Sequence, residues 1–523
     1  MFSFLNFLPY RYILVFFTCT LALGVTTGEI LMSISSIGLA ATWLLEGSFS
    51  EKFNELKKNK WSPLVLSLMF FLILLGLIYS KDLNLGFKRT VMSLPFLLFP
   101  IVFGTIKRFD KKELQLIFAF FLIGILFNIG VGTWYYSQSA SEDIRSISVF
   151  ISHIRLSLWL ALALYLCLIQ AIRTPGIPRF LLLCIATVII LFLRIMESGT
   201  GYIALLIVIG ILLIHLILFS KQRWIIYTLV ICSVAGGILG VWRVNSIYNK
   251  LTQIDNSEEL ENLPVLTPYG EAYVHDTSKL WLENGHYIWI NFAPIECKNT
   301  WNEVSSIPYD STDLLGQPLQ GTILRYLTSK GMRKDRDAIL SLSEDEVREI
   351  ENGKTSCIEK KQGFSARVEE VLYEIIMRNE GLDPNGHSVV MRFLFLEAGW
   401  NIFKDNAFIG IGTGSDDQQF KKYYADSNSL LNEKNRLKPH NQFLTLLVTY
   451  GVIGFILFLF IWIYPLTVVK FSEQLLLIIL LIALGMITDD LFQTQAGVAF
   501  GAGIYSFFIF QLSHRKEDIS SST

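Results

Sequence analysis

The sequence predicts an all-α polytopic membrane protein of about twelve transmembrane helices, with a mixed α/β soluble domain inserted before the last three. Three observations predict it. Hydrophobic residues make up 52% of the 523 and charged residues only 17%, with 39 Phe and a mean hydropathy of +0.46, too apolar for a soluble chain of this length. Apolar runs near the ~17 to 25 residues that cross a bilayer recur along the chain. Lys and Arg gather in every second loop between those runs.

The runs fall at about 12 to 28, 29 to 46, 63 to 80, 90 to 106, 114 to 136 and 149 to 170, then 180 to 197, 200 to 220, 224 to 242, 441 to 464, 473 to 488 and 494 to 512. The seventh, eleventh and twelfth are short or interrupted by polar residues. The basic loops carry Lys52, Lys57, Lys58 and Lys60; Lys107, Arg108, Lys111 and Lys112; Arg173 and Arg179; Lys221 and Arg223; Lys470; and Arg515 and Lys516. All fall on one side if both termini are cytoplasmic. The first run has no small-residue cleavage site and reads as a retained span. The expected organisation is nine helices over 1–242, an outer domain over 243–439, three helices over 440–513 and a cytoplasmic tail over 514–523.

Only the outer segment, nearly 200 residues long, can form a sizeable soluble domain. Its Ala272-Tyr273-Val274 and Lys279-Leu280-Trp281-Leu282 lead to Asn284-Gly285, a tight-turn dipeptide, and Tyr287-Ile288-Trp289-Ile290 follows, so a hairpin or small sheet is expected. Ser343-Glu344-Asp345-Glu346 opens a helix with acids in its first turn, and Gly363 to Glu380 reads as another helix. Gly410, Gly412 and Gly414 read as a turn between packed segments; a lone G-x-G-x-G is weak evidence of phosphate binding.

Of six cysteines, Cys19, Cys167, Cys184 and Cys232 lie in apolar runs, while Cys297 and Cys357 lie in the outer domain. Those two can pair in an oxidising compartment or remain free thiols. No C-x-x-C or histidine cluster has metal-ligand spacing, so no metal and no cofactor is expected, and His275 and His286 read as surface or sheet residues. The net charge of -1 and the lack of a basic stripe argue against a nucleic-acid partner.

Ionisable residues in or near the spans carry the functional signal, because charge in lipid is costly. Arg155 lies inside the sixth run near its outer end, Arg194 near the outer end of the seventh, and Arg392 late in the outer domain, at the level of His440. Each alone can snorkel or pair with Glu197 or Glu397; together they point to an anion site. His440, where the polar segment enters the tenth run, is placed to act as a general base for a lipid-linked substrate. Guanidinium groups would hold the phosphates bidentately.

Two motifs carry a family resemblance. His440 and Gly451 form H-x10-G, within His440-Asn441-Gln442, and Arg392 and Leu396 form R-x3-L, followed by Gly410-Ile411-Gly412-Thr413-Gly414. With the span pattern and the single large outer segment, the chain resembles the O-antigen ligase and O-antigen polymerase superfamily, membrane glycosyltransferases of GT-C-like fold. The resemblance implies a glycan donor on undecaprenyl diphosphate, inversion at the anomeric carbon, no metal, and a periplasmic site in the bacterial inner membrane. It implies that Arg392 binds the donor diphosphate and His440 activates the acceptor hydroxyl, with Asn441, Leu396 and Gly451 as motif support. The family's Ser-Arg-x-Gly element is replaced by Ser198-Gly199-Thr200-Gly201, so Arg194 or Arg155 would have to supply that charge. Glu283-Asn284-Gly285 and Leu324-Arg325-Tyr326 make the outer domain look like that of Bacteroidota members.

Lipid A core (a ligase), another lipid-linked repeat (a polymerase) or a Ser or Thr hydroxyl (a protein O-glycosylating enzyme) would all use the same chemistry. The one large segment before three final spans leans towards the ligase. A twelve-span transporter or flippase would show similar hydropathy, but transporters commonly have matching halves and midplane charges. Here the halves do not match, and Asp489 and Asp490 also sit at an outer boundary.

Overall fold

A computed structural model describes residues 10–138, 147–219, 223–252, 260–278, 281–314, 316–358, 364–379, 384, 385 and 387–516. Lys221, Lys279, Leu280, Gly363, Glu380 and tail residues 517–523 lie outside them. The chain forms two compact units, one of residues 1–230 with 391–523 and one of residues 231–390. Residues 391–439, expected in the outer domain, thus fold with the helical unit.

The helices run in order α1 (Tyr10–Thr27), α2 (Glu29–Glu46), α3 (Phe49–Lys58), α4 (Ser62–Gly76), α5 (Leu83–Met92), α6 (Leu94–Thr105), α7 (Lys111–Gln138), α8 (His153–Arg173), α9 (Ile177–Ile195), α10 (Gly199–Phe219) and α11 (Arg223–Thr252). After the smaller elements come α12 (Pro294–Val304), α13 (Leu319–Ser329), α14 (Arg336–Leu340), α15 (Glu344–Glu351), α16 (Phe364–Asn379), α17 (Ser388–Asp405) and α18 (Asp416–Asp426). The last three are α19 (Gln442–Val468), α20 (Glu473–Thr488) and α21 (Gln495–Leu512), the last alternating α and π turns.

Among the described residues, ten helices are long and apolar enough to cross a membrane, or eleven if the bent pair α3 and α4 counts as one span. Two of the twelve expected runs form shorter helices. Lys60 and Trp61 both adopt positive φ (47° and 63°), and α4 starts at a proline turn with its axis 94° from α3, so only 15 residues remain in that helix. α20 has 16 residues, a rise of about 24 Å against a hydrocarbon core of about 30 Å. It stops where the polar pair Asp489-Asp490 ends the apolar run.

Within the helical unit α1 packs on α2 and α7, α4 on α6 and α19, and α10 on α8 and α20. α8 is among its most enclosed helices, with Leu156 to Leu164 buried without interruption. Side-chain caps set several starts: Asp82 accepts from Leu85 N for α5, Ser472 from Leu475 N for α20 and Thr494 from Gly497 N for α21. Each satisfies a donor that the first turn leaves unpaired.

Among its described residues the second unit is mainly helical. Its sheet is one hairpin, Leu282–Glu283 with His286–Tyr287, closed by Asn284 and Gly285 at φ 52° and 84°, the two positive angles an Asn-Gly type I′ turn needs. The strands stop after two residues because Tyr287, Ile288 and Ile290 are all buried, whereas a strand on one core face would bury alternate residues. Ala272 and Val274 make only single bridges, to Leu266 and Phe292. Ser343 and Glu346 form a capping box that starts α15, as the acids there predict. Cys297 and Cys357 are both free, the second of the two alternatives considered above. Cys297 is fully buried on α12, and Cys357 is tied to Ser329 through its backbone N–H (2.8 Å) and its thiol (3.5 Å).

Candidate active site

His440 stands immediately before α19, whose first turn is capped by Asn441: its Oδ1 accepts from Leu444 N at 3.0 Å. The Asn441 amide also donates to Ile487 O at 3.3 Å, fastening the start of α19 to the end of α20. His440 adopts φ 47°, a left-handed conformation costly for a non-glycine residue. The conformation is held by its N–H, which donates to Asp490 Oδ2 at 3.2 Å. The imidazole lies 5.9 Å from the Phe395 ring, centroid to centroid. Its side chain is 36% exposed, which leaves the ring open to a substrate.

Nδ1 of His440 faces two carboxylates, 3.7 Å from Asp489 Oδ1 and 3.9 Å from Asp490 Oδ2. These are ionic separations, longer than hydrogen bonds. Both aspartates lie in the connection between α20 and α21. Arg155 of α8 pairs with Asp489 Oδ2 at 2.8 Å, while Thr445 donates to Asp490 Oδ1 at 2.5 Å. Burial pushes both carboxyls up. At Asp489 the adjacent His440 and the charge of Arg155 outweigh burial and hold it below the usual carboxylate range; at Asp490 burial wins and the carboxyl stays above it. Adjacent acids whose environments drive them apart can divide their roles. Asp489 is the anionic neighbour nearest Nδ1, and Nε2 is the ring nitrogen farther from the two carboxylates.

Arg392 approaches through α17, which begins where Glu374 of α16 accepts the N–H groups of Val389 (2.6 Å) and Val390 (3.2 Å). Arg392 is exposed, and Phe395, three residues on and so on the same helix face, is the ring beside His440. Leu396 packs in a cluster with Leu444 and Val448 of α19. R-x3-L therefore presents a cation one turn from the His440 contact while its leucine fastens α17 to α19. Gly399 allows the closeness: a Cβ there would lie 2.7 Å from Pro439 Cγ.

The glycines turn out to be structural. Gly451 has φ 65° and ψ −170°, breaking α19, and a Cβ would lie 2.2 Å from Phe408 O. Backbone groups around the break bond to the incoming chain: Val452 N to Ala407 O (2.8 Å), Ile411 N to Val448 O (3.0 Å) and Gly412 N to Thr449 O (2.9 Å). Thr413 N donates to Gly76 O, and a Cβ on Gly414 would lie 2.3 Å from Gly86 N. The Gly410–Gly414 turn thus spends these N–H groups on α4 and α19, which fits the packing reading and not a phosphate cradle.

Of the expected arginines, Arg155 joins the His440 centre through Asp489 and Arg392 flanks it. Arg194 is exposed at the end of α9, and no described contact joins it to His440, Arg155 or the aspartates. Among the described residues no group of three or more His, Cys, Asp or Glu could hold a metal. Sequence reasoning noted Asp489 and Asp490 only as boundary residues. The signal that could have found them is an acidic pair ending an apolar run too short to cross the bilayer.

The fold and this centre define a multi-pass helical membrane protein whose titratable site is built where helices end, with arginines beside a histidine. Residues 362–459 match the family described as O-antigen ligase, a stretch holding Arg392, the glycine turn, His440 and Gly451. The likeness to that family spans 98 of the 523 residues. No curated protein matches the chain.

Proposed function

We propose that the protein transfers a glycan from undecaprenyl diphosphate to an acceptor hydroxyl, lipid A core for preference, at the periplasmic face of a bacterial inner membrane. The observation that carries this reading is the His440 ring, open on one side and backed on the other by the ionised Asp489, inside the stretch that matches the family. His440 Nε2 takes the proton of the acceptor hydroxyl as its oxygen bonds to the anomeric carbon. The bond from that carbon to the diphosphate oxygen breaks from the opposite face, inverting the centre. The diphosphate leaves with both electrons of that bond, and its charge is held by Arg392, with Arg155 as the second guanidinium.

Arg155 suits that role because its Nε is buried without a hydrogen-bond partner among the described residues, a costly arrangement that a donor oxygen would relieve. The test is transfer in proteoliposomes from an undecaprenyl diphosphate-linked glycan, with lipid A core, a second lipid-linked repeat and a Ser-containing peptide offered together. The proposal expects lipid A core to be consumed, and Arg392→Ala to raise the donor KM. Consumption of the repeat or the peptide would replace the ligase reading by polymerase or protein glycosylation, and no transfer to any acceptor would overturn the proposal.

A further inference from the structure

Beside the His440 centre lies a second charged cluster that the two motifs do not account for. Asp416, the first residue of α18, is 1% exposed, and one of its oxygens pairs with Arg89 of α5. The other accepts from Lys438 Nζ at 3.1 Å and from Gln493 Nε2 at 3.4 Å. Lys438 also donates to Gln493 Oε1 at 2.9 Å, closing a three-residue ring. Asp417 Oδ1 lies 3.0 Å from Lys438 and 3.7 Å from Arg89, so two cations meet two carboxylates.

The ring joins the two loops that build the site. Lys438 stands two residues before His440, and Gln493 three residues after Asp490. Asp416 itself cannot shift easily, because it follows the glycine turn packed against α4, α5 and α19. Ser415 adds to this by accepting from Lys81 N at 2.8 Å. An Arg89–Asp416 pair alone would anchor α18; the further bonds to Lys438 and Gln493 register one catalytic loop against the other. His440 needs such support, since its left-handed backbone is held by a single 3.2 Å bond to Asp490.

We propose that Asp416 is a positioning residue which, through Lys438 and Gln493, fixes His440 against Asp489 and Asp490. The inference rests on the reading of His440 as the base. Small displacements of a reacting group cost rates roughly 10- to 100-fold, so loosening the ring lowers kcat while donor binding persists.

Asp416→Asn leaves two cations facing a neutral residue and risks misfolding, so the test uses Lys438→Met, Gln493→Met, their double variant and Lys438→Arg in the full chain. Two readouts are taken in proteoliposomes at equal folded protein: transfer kinetics from the lipid diphosphate-linked glycan, and the rate at which diethyl pyrocarbonate modifies His440, followed by mass spectrometry with His514 as internal reference. The proposal expects each methionine variant to lower kcat roughly 10- to 100-fold with the donor KM within about twofold. The double variant should be no worse than the worse single one, Lys438→Arg should recover most of the loss, and His440 should be modified several-fold faster than in the wild type. Unchanged kcat and unchanged His440 reactivity would overturn it. So would a raised donor KM at unchanged kcat, which would make Lys438 a phosphate ligand. A wild type that transfers nothing refutes the proposed function instead, and the His440 reactivity then decides the positioning claim by itself.

Discussion

The two charged clusters near the start of α19 are built in opposite ways. Around Asp416 the groups touch: Lys438 at 3.1 Å, Gln493 at 3.4 Å, Arg89 in direct contact, and a carboxylate 1% exposed. Around His440 they stand off: carboxylates at 3.7 and 3.9 Å, a ring 36% exposed and Arg155 Nε buried without a partner among the described residues. A closed cluster has satisfied its charges and contributes order. An open one leaves an imidazole and a guanidinium within reach of a substrate, as the proposed transfer from a lipid diphosphate would require.

The comparison is broken most severely by removing what both clusters lean on. Gly451→Ala puts a Cβ 2.2 Å from Phe408 O at a residue with φ 65°, and the loss should exceed about 2 kcal/mol from strain alone. It is read as a sharp fall in folded protein recovered in detergent and in Tm. A Gly451→Ala protein with wild-type Tm would contradict the break in α19.

Substitutions inside each cluster should then act on different readouts. Asp416→Asn leaves Arg89 and Lys438 uncompensated and should cost about 3 to 5 kcal/mol of stability, read as Tm. The pH dependence has a definite sign. Burial raises the Asp416 carboxyl, but Arg89 and Lys438 outweigh burial and hold it below its ordinary value. A carboxyl depressed on folding stabilises fully above its unfolded value, near 3.9, and loses that stabilisation as pH falls through the folded value. The Tm gap between wild type and Asp416→Asn should therefore be constant from pH 7 down to about 5 and shrink as the pH falls below about 4. Asp489→Asn should instead lower kcat about 100-fold, near 2.7 kcal/mol, with a smaller change in Tm, because the Asp489 side chain is 12% exposed against 1% for Asp416 and water replaces more of what is lost. A larger effect on Tm than on kcat would erase the distinction between the clusters.

The smallest expected effect lies in the second unit. Cys297 and Cys357 are free, as are the other four cysteines, so reductant should leave Tm unchanged, and six thiols, not four, should react once the protein is unfolded under non-reducing conditions. A Tm drop on reduction would mean that the two are bonded.

What the sequence made legible was local. His440 stood out because a titratable residue borders an apolar run, Gly451 only as its motif partner inside that run, and the Asn284-Gly285 turn and the Ser343 capping box follow from chemistry within four residues. Arg89 with Asp416 and Arg155 with Asp489 pair across 327 and 334 positions, and nothing near either member announces its partner. The expected hairpin forms at Asn284-Gly285, but its strands are only two residues long, because the segment after Tyr287 is buried at successive positions, which an apolar run does not distinguish from a strand. Residues 391–439 fold with the helical unit because Gly410–Gly414 pack into the break of α19, and that needs the kink to be seen first.

The most direct test of the central claim compares wild type with His440→Ala and His440→Gln at equal folded protein, measuring initial rates of glycan transfer from undecaprenyl diphosphate in proteoliposomes. The account predicts a loss of about 10²- to 10⁴-fold in kcat for both, with Tm little changed. Transfer by either variant at the wild-type rate would contradict His440 as the base.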